Sequence, residues 1–221
     1  MTRRIHQYRL LLTFLWCTVL CGALIAMRFI VTDHPTYLWL LVPNLVLAWI
    51  PYVCSSWISR RLERGSRWTL GIAGVGLVWL FFFPNCFYII TDIVHIGYFS
   101  RSVSKPMLYY DISLHALAVI LGWGLGVVSL LRMQERIRSG YGVRYGHAFA
   151  LLVLALGSIG VYLGRFLRWN SWDLLRDPMK IVRDTVQAMV EPDSLAFIVV
   201  FGFVTGSLYY LVYNLQPERS R

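Results

Sequence analysis

"FFFPNCFYIITDIVH", residues 81–95, begins as a membrane helix and ends as a polar stripe. Phe81, Phe82 and Phe83 suit a lipid environment. Asn85, Asp92 and His95 do not, because acyl chains offer a polar group no hydrogen-bond partner. Asn85, Tyr88, Asp92 and His95 stand 3, 4 and 3 residues apart, so a helix continuing past Pro84 carries all four on one face. The proline removes a backbone donor and frees a carbonyl, so a kink is expected at the point where the stripe begins.

The chain around this stretch reads as an integral membrane protein. Of 221 residues, 57% are hydrophobic and 14% charged, against about a quarter charged in a soluble domain; mean hydropathy is +0.59. Nine tryptophans suit anchoring at the two membrane interfaces. The net charge of +10 comes from arginines gathered in short loops between apolar runs, which argues against nucleic acid as a partner. Cys17, Cys21, Cys54 and Cys86 show neither zinc-finger nor disulfide-framework spacing.

Six runs are long enough to cross a bilayer, at about 10–31, 37–58, 70–90, 108–131, 147–167 and 195–215. The expected architecture is all-α: a single polytopic domain, 1–221, of six transmembrane helices plus one amphipathic interfacial helix. Arg3, Arg4 and Arg9 precede the first run, but its apolar stretch is longer than a signal peptide's and no small-residue cleavage site follows. Arginines also follow the second run (Arg60, Arg61, Arg64, Arg67) and the fourth (Arg132, Arg136, Arg138, Arg144). The positive-inside rule then places both termini in the cytoplasm. The segment 165–194 counts against that orientation, with five basic residues on the outer side. Within it, Asp177 before Pro178 starts a helix, and Met179, Val182, Val186 and Met189 recur at helical spacing. Residues 178–190 are therefore expected to lie on the outer membrane surface or to fold over the bundle as a lid. Gly122 with Gly126, and Gly160 with Gly164, mark faces where helices approach closely.

In this topology three stretches bring their polar residues to one depth on the outer side. The first is the opening stripe. The second is Tyr110, Asp111 and His115 at the start of the fourth span. The third is the end of the fifth, where Arg165, Arg168 and Trp172 repeat the 3–4 spacing and Asn170 and Asp173 follow. Asp92 and Asp111 against Arg165 and Arg168 balance two charges with two, as ionisable groups inside a membrane require. Arg28, near the outward end of the first span, either snorkels or joins this cluster.

"PNCFYIITDIVH", "YYDISLHA" and "GVYLGRFLRWNSWDLL" together resemble the bacterial membrane family called domain of unknown function 1361. The resemblance runs from about the second span to the sixth, with Cys86 and Phe87 standing where a small residue and proline are more typical. It implies a small multi-pass protein of the bacterial cytoplasmic (inner) membrane and carries no reaction with it.

Several chemistries fit the polar set. Asp92, His95, Asp111 and His115 are candidates for acid–base catalysis, or for a divalent metal bound by two carboxylates and two imidazoles. Asn85, Tyr88, Arg165, Arg168, Asn170, Trp172 and Asp173 are candidates for binding a substrate. The arginines would suit an anionic or lipid-linked molecule. A small transporter or proton pathway, an assembly protein that docks a partner or membrane lipid, and a purely structural charge network are the alternatives. Oligomeric state is not legible.

Overall fold

The computed structural model describes residues 2–33, 35–65, 68–99, 104–169 and 176–215. Among these residues every regular element is helical: α1 (Thr2–Thr32), α2 (Thr36–Glu63), α3 (Leu70–Phe82), α4 (Asn85–Tyr88), a 3₁₀ turn (Ile89–Asp92), α5 (Ile93–Phe99), α6 (Lys105–Tyr141), α7 (Val143–Phe166), α8 (Pro178–Val190) and α9 (Pro192–Asn214). Six stretches are long and apolar enough to cross a membrane, with α3 to α5 forming one of them, Leu70–Ile96.

The spans match the six apolar runs, but α6 is longer than its run. Arg132, Arg136 and Arg138 continue the helix instead of forming a loop, and it stops only where Gly142 takes φ +105°. A 37-residue helix overshoots a bilayer core by several turns, so its arginines project beyond the apolar layer while remaining helical. There Arg136 pairs with Glu63 at 2.5 Å, and Arg132 lies over the Tyr52 ring. This arginine-rich end of the bundle lies opposite the end that carries Asp92 and Asp111. The centre of the bundle is α6, packed against α1, α2 and α7 and with 61% of its most apolar window buried.

The opening stretch breaks where proline predicts. The α3 helix ends at Phe82, Pro84 passes through a turn, and a single turn of α4 is followed by the 3₁₀ turn. Four glycines hold this broken segment. A Cβ on Gly122 would sit 2.8 Å from the Cys86 carbonyl oxygen, and one on Gly126 would sit 2.7 Å from Cys86 Cβ. From the other side a Cβ on Gly160 would overlap the Pro84 ring, and one on Gly164 would sit 3.2 Å from the Tyr88 ring. The two glycine pairs on α6 and α7 therefore both face one irregular segment, which passes between them.

The α8 helix begins as its sequence requires, with the Asp177 carboxylate accepting from Lys180 N–H at 3.1 Å and proline in the first turn. Its Ala188 is buried with Tyr162 of α7 and Ile198 of α9, while Met179, Val182 and Val186 point away and are exposed. Tyr162 Oη and Ser194 Oγ, 2.6 Å apart, tie the same two long helices together. The α8 helix thus rests on the bundle along one face and keeps a second apolar face outward, as an interfacial helix does.

Close approach at these glycines makes a specific prediction. Gly122→Ala and Gly160→Ala should each lower unfolding stability by about 1–3 kcal/mol through overpacking. Gly74→Ala, at a site with nothing within 4 Å, should be neutral or mildly stabilising. Unfolding titrations in mixed micelles give the comparison; equal stability for all three variants would refute the packing argument.

Candidate functional site

Two charge clusters occupy one end of the bundle. In the first, Arg28 of α1 meets Asp111 of α6 side-on, Nε to Oδ1 at 2.7 Å and Nη2 to Oδ2 at 3.0 Å. Both side chains are buried, 5% and 1% exposed, so each charge depends on the other for solvation. Tyr37 of α2 lies under the guanidinium, 5.4 Å from it, and edge-on to His115 at 5.1 Å. His115 Nδ1 lies 2.9 Å from the Asp111 carbonyl oxygen, which can only accept, so Nδ1 is the donor. Its Nε2 is buried and has no hydrogen-bond partner among the described residues.

In the second cluster, Asp92 is fully buried and both of its oxygens are engaged. Oδ1 takes Arg165 Nη1 at 3.0 Å, and Oδ2 takes the Asn44 amide at 2.7 Å. Arg165 Nη2 donates to the Thr91 carbonyl at 2.9 Å and lies 3.0 Å from His95 Nε2. A guanidinium has no lone pair to offer, so His95 Nε2 accepts and the ring is neutral with its proton on Nδ1. Arg165 also stands over the Tyr88 ring at 5.7 Å.

The two expected charge balances are thus met by different partners. Arg165 does pair with Asp92, but the cation for Asp111 is Arg28, not Arg168. Arg168 is exposed at the end of α7 with φ +58°, a left-handed conformation that turns the chain so that Trp169 N–H reaches back to the Leu163 carbonyl at 3.1 Å. Asp92, His95, Asp111 and His115 do not form one ligand set. They divide between the clusters, each carboxylate already facing a guanidinium, and no group of three or more His, Cys, Asp or Glu among the described residues could hold a metal ion. Asn170, Trp172 and Asp173 lie outside the described residues.

Beside the second cluster runs a groove of about 380 Å³ between α2, the α3–α4 break and α7, roofed by α8, within the range of pockets that hold small ligands. Its polarity is graded. Leu80 and Phe81 on α3 and Leu156 and Ile159 on α7 line the deep part. Further along the same two helices come Asn85, Tyr88 and Gly164, then Trp169 and, from α8, Ile181 and Thr185. Asn44 completes the wall, its amide held by Asp92. The roof is fastened by Trp169, whose indole donates to Asp184 at 2.9 Å while Lys180 lies 5.1 Å above the ring. Of the expected substrate-binding residues, Asn85 and Tyr88 line this groove, Arg165 stands behind it, and Arg168 does not line it.

Sequence reasoning did not place Asn44 or Trp169 in this wall. Asn44 is one of few polar groups at middle depth, and that isolation was the available signal. The Arg28 partnership had a signal too, a guanidinium near the end of a span, but nothing in the sequence sets α1 beside α6 rather than another helix.

The fold and its groove define a multi-pass helical membrane protein with a polar-to-apolar cleft at one end. The chain belongs to the family described as "Protein of unknown function (DUF1361)", whose model matches residues 43–208. The match spans Asn44, Asp92, Asp111 and Arg165 but stops short of Arg28, the partner of Asp111. No curated protein and no solved structure matches the chain.

The Arg28–Asp111 pair generates a second prediction. Arg28→Met leaves a buried carboxylate without its cation and should cost about 3–5 kcal/mol of stability. The double variant Arg28→Met/Asp111→Leu removes both charges and should recover much of that loss. A double-mutant cycle measures the coupling, and additive losses would mean that the pair contributes no mutual stabilisation.

Proposed function

We propose that this protein binds an amphiphilic, lipid-like molecule in the groove between the α3–α4 break and α7. The observation that carries the reading is the gradient along the groove wall. Leucine, isoleucine and phenylalanine at the deep end suit an acyl or prenyl chain; asparagine, tyrosine, threonine and tryptophan at the other suit a headgroup. Two helices run the gradient in the same direction, Leu80 to Tyr88 on one and Leu156 to Gly164 on the other.

The lining also bears on the headgroup. Among the described residues it contains no charged side chain. Arg165 commits three of its five N–H donors to Asp92, Thr91 and His95, and it is not among the residues that line the groove. Amides and hydroxyls read hydroxyl, carbonyl and amide groups well, which favours an uncharged polar head over the anionic one that two arginines suggest. The carboxylates of Asp92 and Asp111 are committed to ion pairs. Asp92 then acts as a positioning residue, holding the Asn44 amide against the groove. Binding, rather than acid–base chemistry, is what these side chains support best.

The orientation belongs to the same proposal. Arg60, Arg61 and Arg64 lie at one end of the bundle with Arg132, Arg136 and Arg138, so that end faces the cytoplasm of a bacterium and the groove opens toward the outer leaflet of its cytoplasmic membrane. A green fluorescent protein fused after Leu215 should fluoresce, and alkaline phosphatase fused after Pro35 should be active. The reverse pattern would invert the assignment.

The binding experiment is native mass spectrometry of protein extracted in mild detergent. Wild type should carry a co-purifying lipid with an uncharged head. Leu156→Trp, at a half-exposed position in the apolar part of the groove, should fill it and reduce retention about tenfold. Asn85→Ala and Thr185→Val should weaken it several-fold. Unchanged lipid occupancy in Leu156→Trp would sink the proposal.

A further inference from the structure

The polar atoms along the groove divide unequally into donors and acceptors. Asp92 is ion-paired with Arg165, so its carboxylate can only accept. Asn44 must therefore turn its amide nitrogen to Asp92, at 2.7 Å, which leaves Oδ1 on the other branch of the amide. That oxygen takes no hydrogen bond from the described residues and is not sealed inside the protein. Asn44 itself is half-buried, in the wall of the groove.

The hydroxyls and the indole of the lining have already placed their protons. Thr185 donates to the Ile181 carbonyl of its own helix at 2.8 Å. Tyr88 Oη lies 3.5 Å from the Gly164 carbonyl oxygen, which can only accept. Trp169 gives its N–H to Asp184 at 2.9 Å. Each of these groups carries a single proton, and only the two hydroxyls keep lone pairs afterwards. What the lining has left for a guest is chiefly acceptor: Asn44 Oδ1 from α2, Thr185 Oγ1 from α8 and Tyr88 Oη from the broken segment.

A headgroup made only of ester, ether or ketone oxygens would set lone pairs against lone pairs, and groups desolvated without a partner weaken binding. A headgroup that donates finds partners on three elements. Asn44 also has a second N–H on the nitrogen that Asp92 holds, so the best fit is a group that donates and accepts at one atom. That group is a hydroxyl.

We infer that the groove, taken as the lipid site proposed above, selects lipid alcohols: an uncharged hydroxyl head donating to Asn44 Oδ1 and Thr185 Oγ1, with its hydrocarbon along Leu80 and Leu156. A glycerolipid with a free hydroxyl and an isoprenoid alcohol share this chemistry.

The test uses the full chain in detergent with two matched pairs of probes. One pair is dioctanoylglycerol and its methyl ether; the other is farnesol and its methyl ether. Each ether keeps the chains and oxygens of its alcohol and loses only the donated proton. Binding is read as saturable thermal stabilisation and by native mass spectrometry. Wild type should prefer the alcohol about tenfold in at least one pair, as the loss of one matched hydrogen bond implies, and the pair with the tighter alcohol names the source. In Asn44→Leu, and independently in Thr185→Val, that preference should shrink toward parity. A merely loosened fold would weaken both members of a pair and leave their ratio unchanged. Leu156→Trp should abolish binding of all four probes. If wild type binds each ether as well as its alcohol, and Leu156→Trp still abolishes both, the groove is a lipid site and the selection for alcohols is overturned. An undiminished preference in both Asn44→Leu and Thr185→Val also overturns it. If no probe binds saturably to wild type, the reading of the groove as a lipid site fails and the selection falls with it. Each variant is first shown to elute as a monodisperse, helical species.

Discussion

The fold depends on a close approach: a broken stretch of helix, Pro84 to Asp92, in which one α turn gives way to a 3₁₀ turn, held between two glycine-bearing helix faces. Irregular backbone at membrane depth is tolerated only where protein covers it. Gly122 and Gly126 on one side, and Gly160 and Gly164 on the other, let α6 and α7 supply that cover. The break in turn decides where the side chains point. Asn85 and Tyr88 reach the groove, Cys86 and Phe87 pack toward α6, and Asp92 is delivered to Arg165 and Asn44. A straight α-helix through this segment would keep the 3–4 stripe but lose the shift made by the 3₁₀ turn.

The second constraint is charge. Burying one ion in a bilayer costs several kcal/mol even after relaxation, so each buried carboxylate is matched to a guanidinium from a distant helix. Asp111 with Arg28 joins α1 to α6, and Asp92 with Arg165 joins the broken span to α7. These pairs act as clasps, and they leave the neighbouring groove lined by neutral polar groups. An abundance of charge near a cavity is therefore a poor guide to the charge of its ligand. What matters is which donors and acceptors remain after internal pairing.

Much of this was legible in the chain. Apolar run length identified the six spans, since a bilayer core of fixed thickness demands about 20 apolar residues. The Asp177–Pro178 step marked the start of α8, because the cap and the fixed proline φ act within one turn. The glycine pairs named the close-packed faces, since only a missing Cβ permits such contact. Even the convergence of Asp92, His95, Asp111, His115 and Arg165 at one end follows from alternating spans. Lengths, caps, breaks and depths are local or one-dimensional properties, and the sequence by itself determined them.

Lateral position is different. Which helix stands beside which is set by the summed packing of many side chains, and no short spacing encodes it. Only the tertiary structure decided that Arg28 rather than Arg168 neutralises Asp111, and that Asn44 is held by Asp92. It decided as well that the two expected ligand pairs separate into two clusters, and that α8 roofs a groove with Ile181 and Thr185 while its other apolar face stays outward. The physical reason is that a membrane orders helices along its normal but exerts no comparable force in its plane, where only contact chemistry chooses the neighbours.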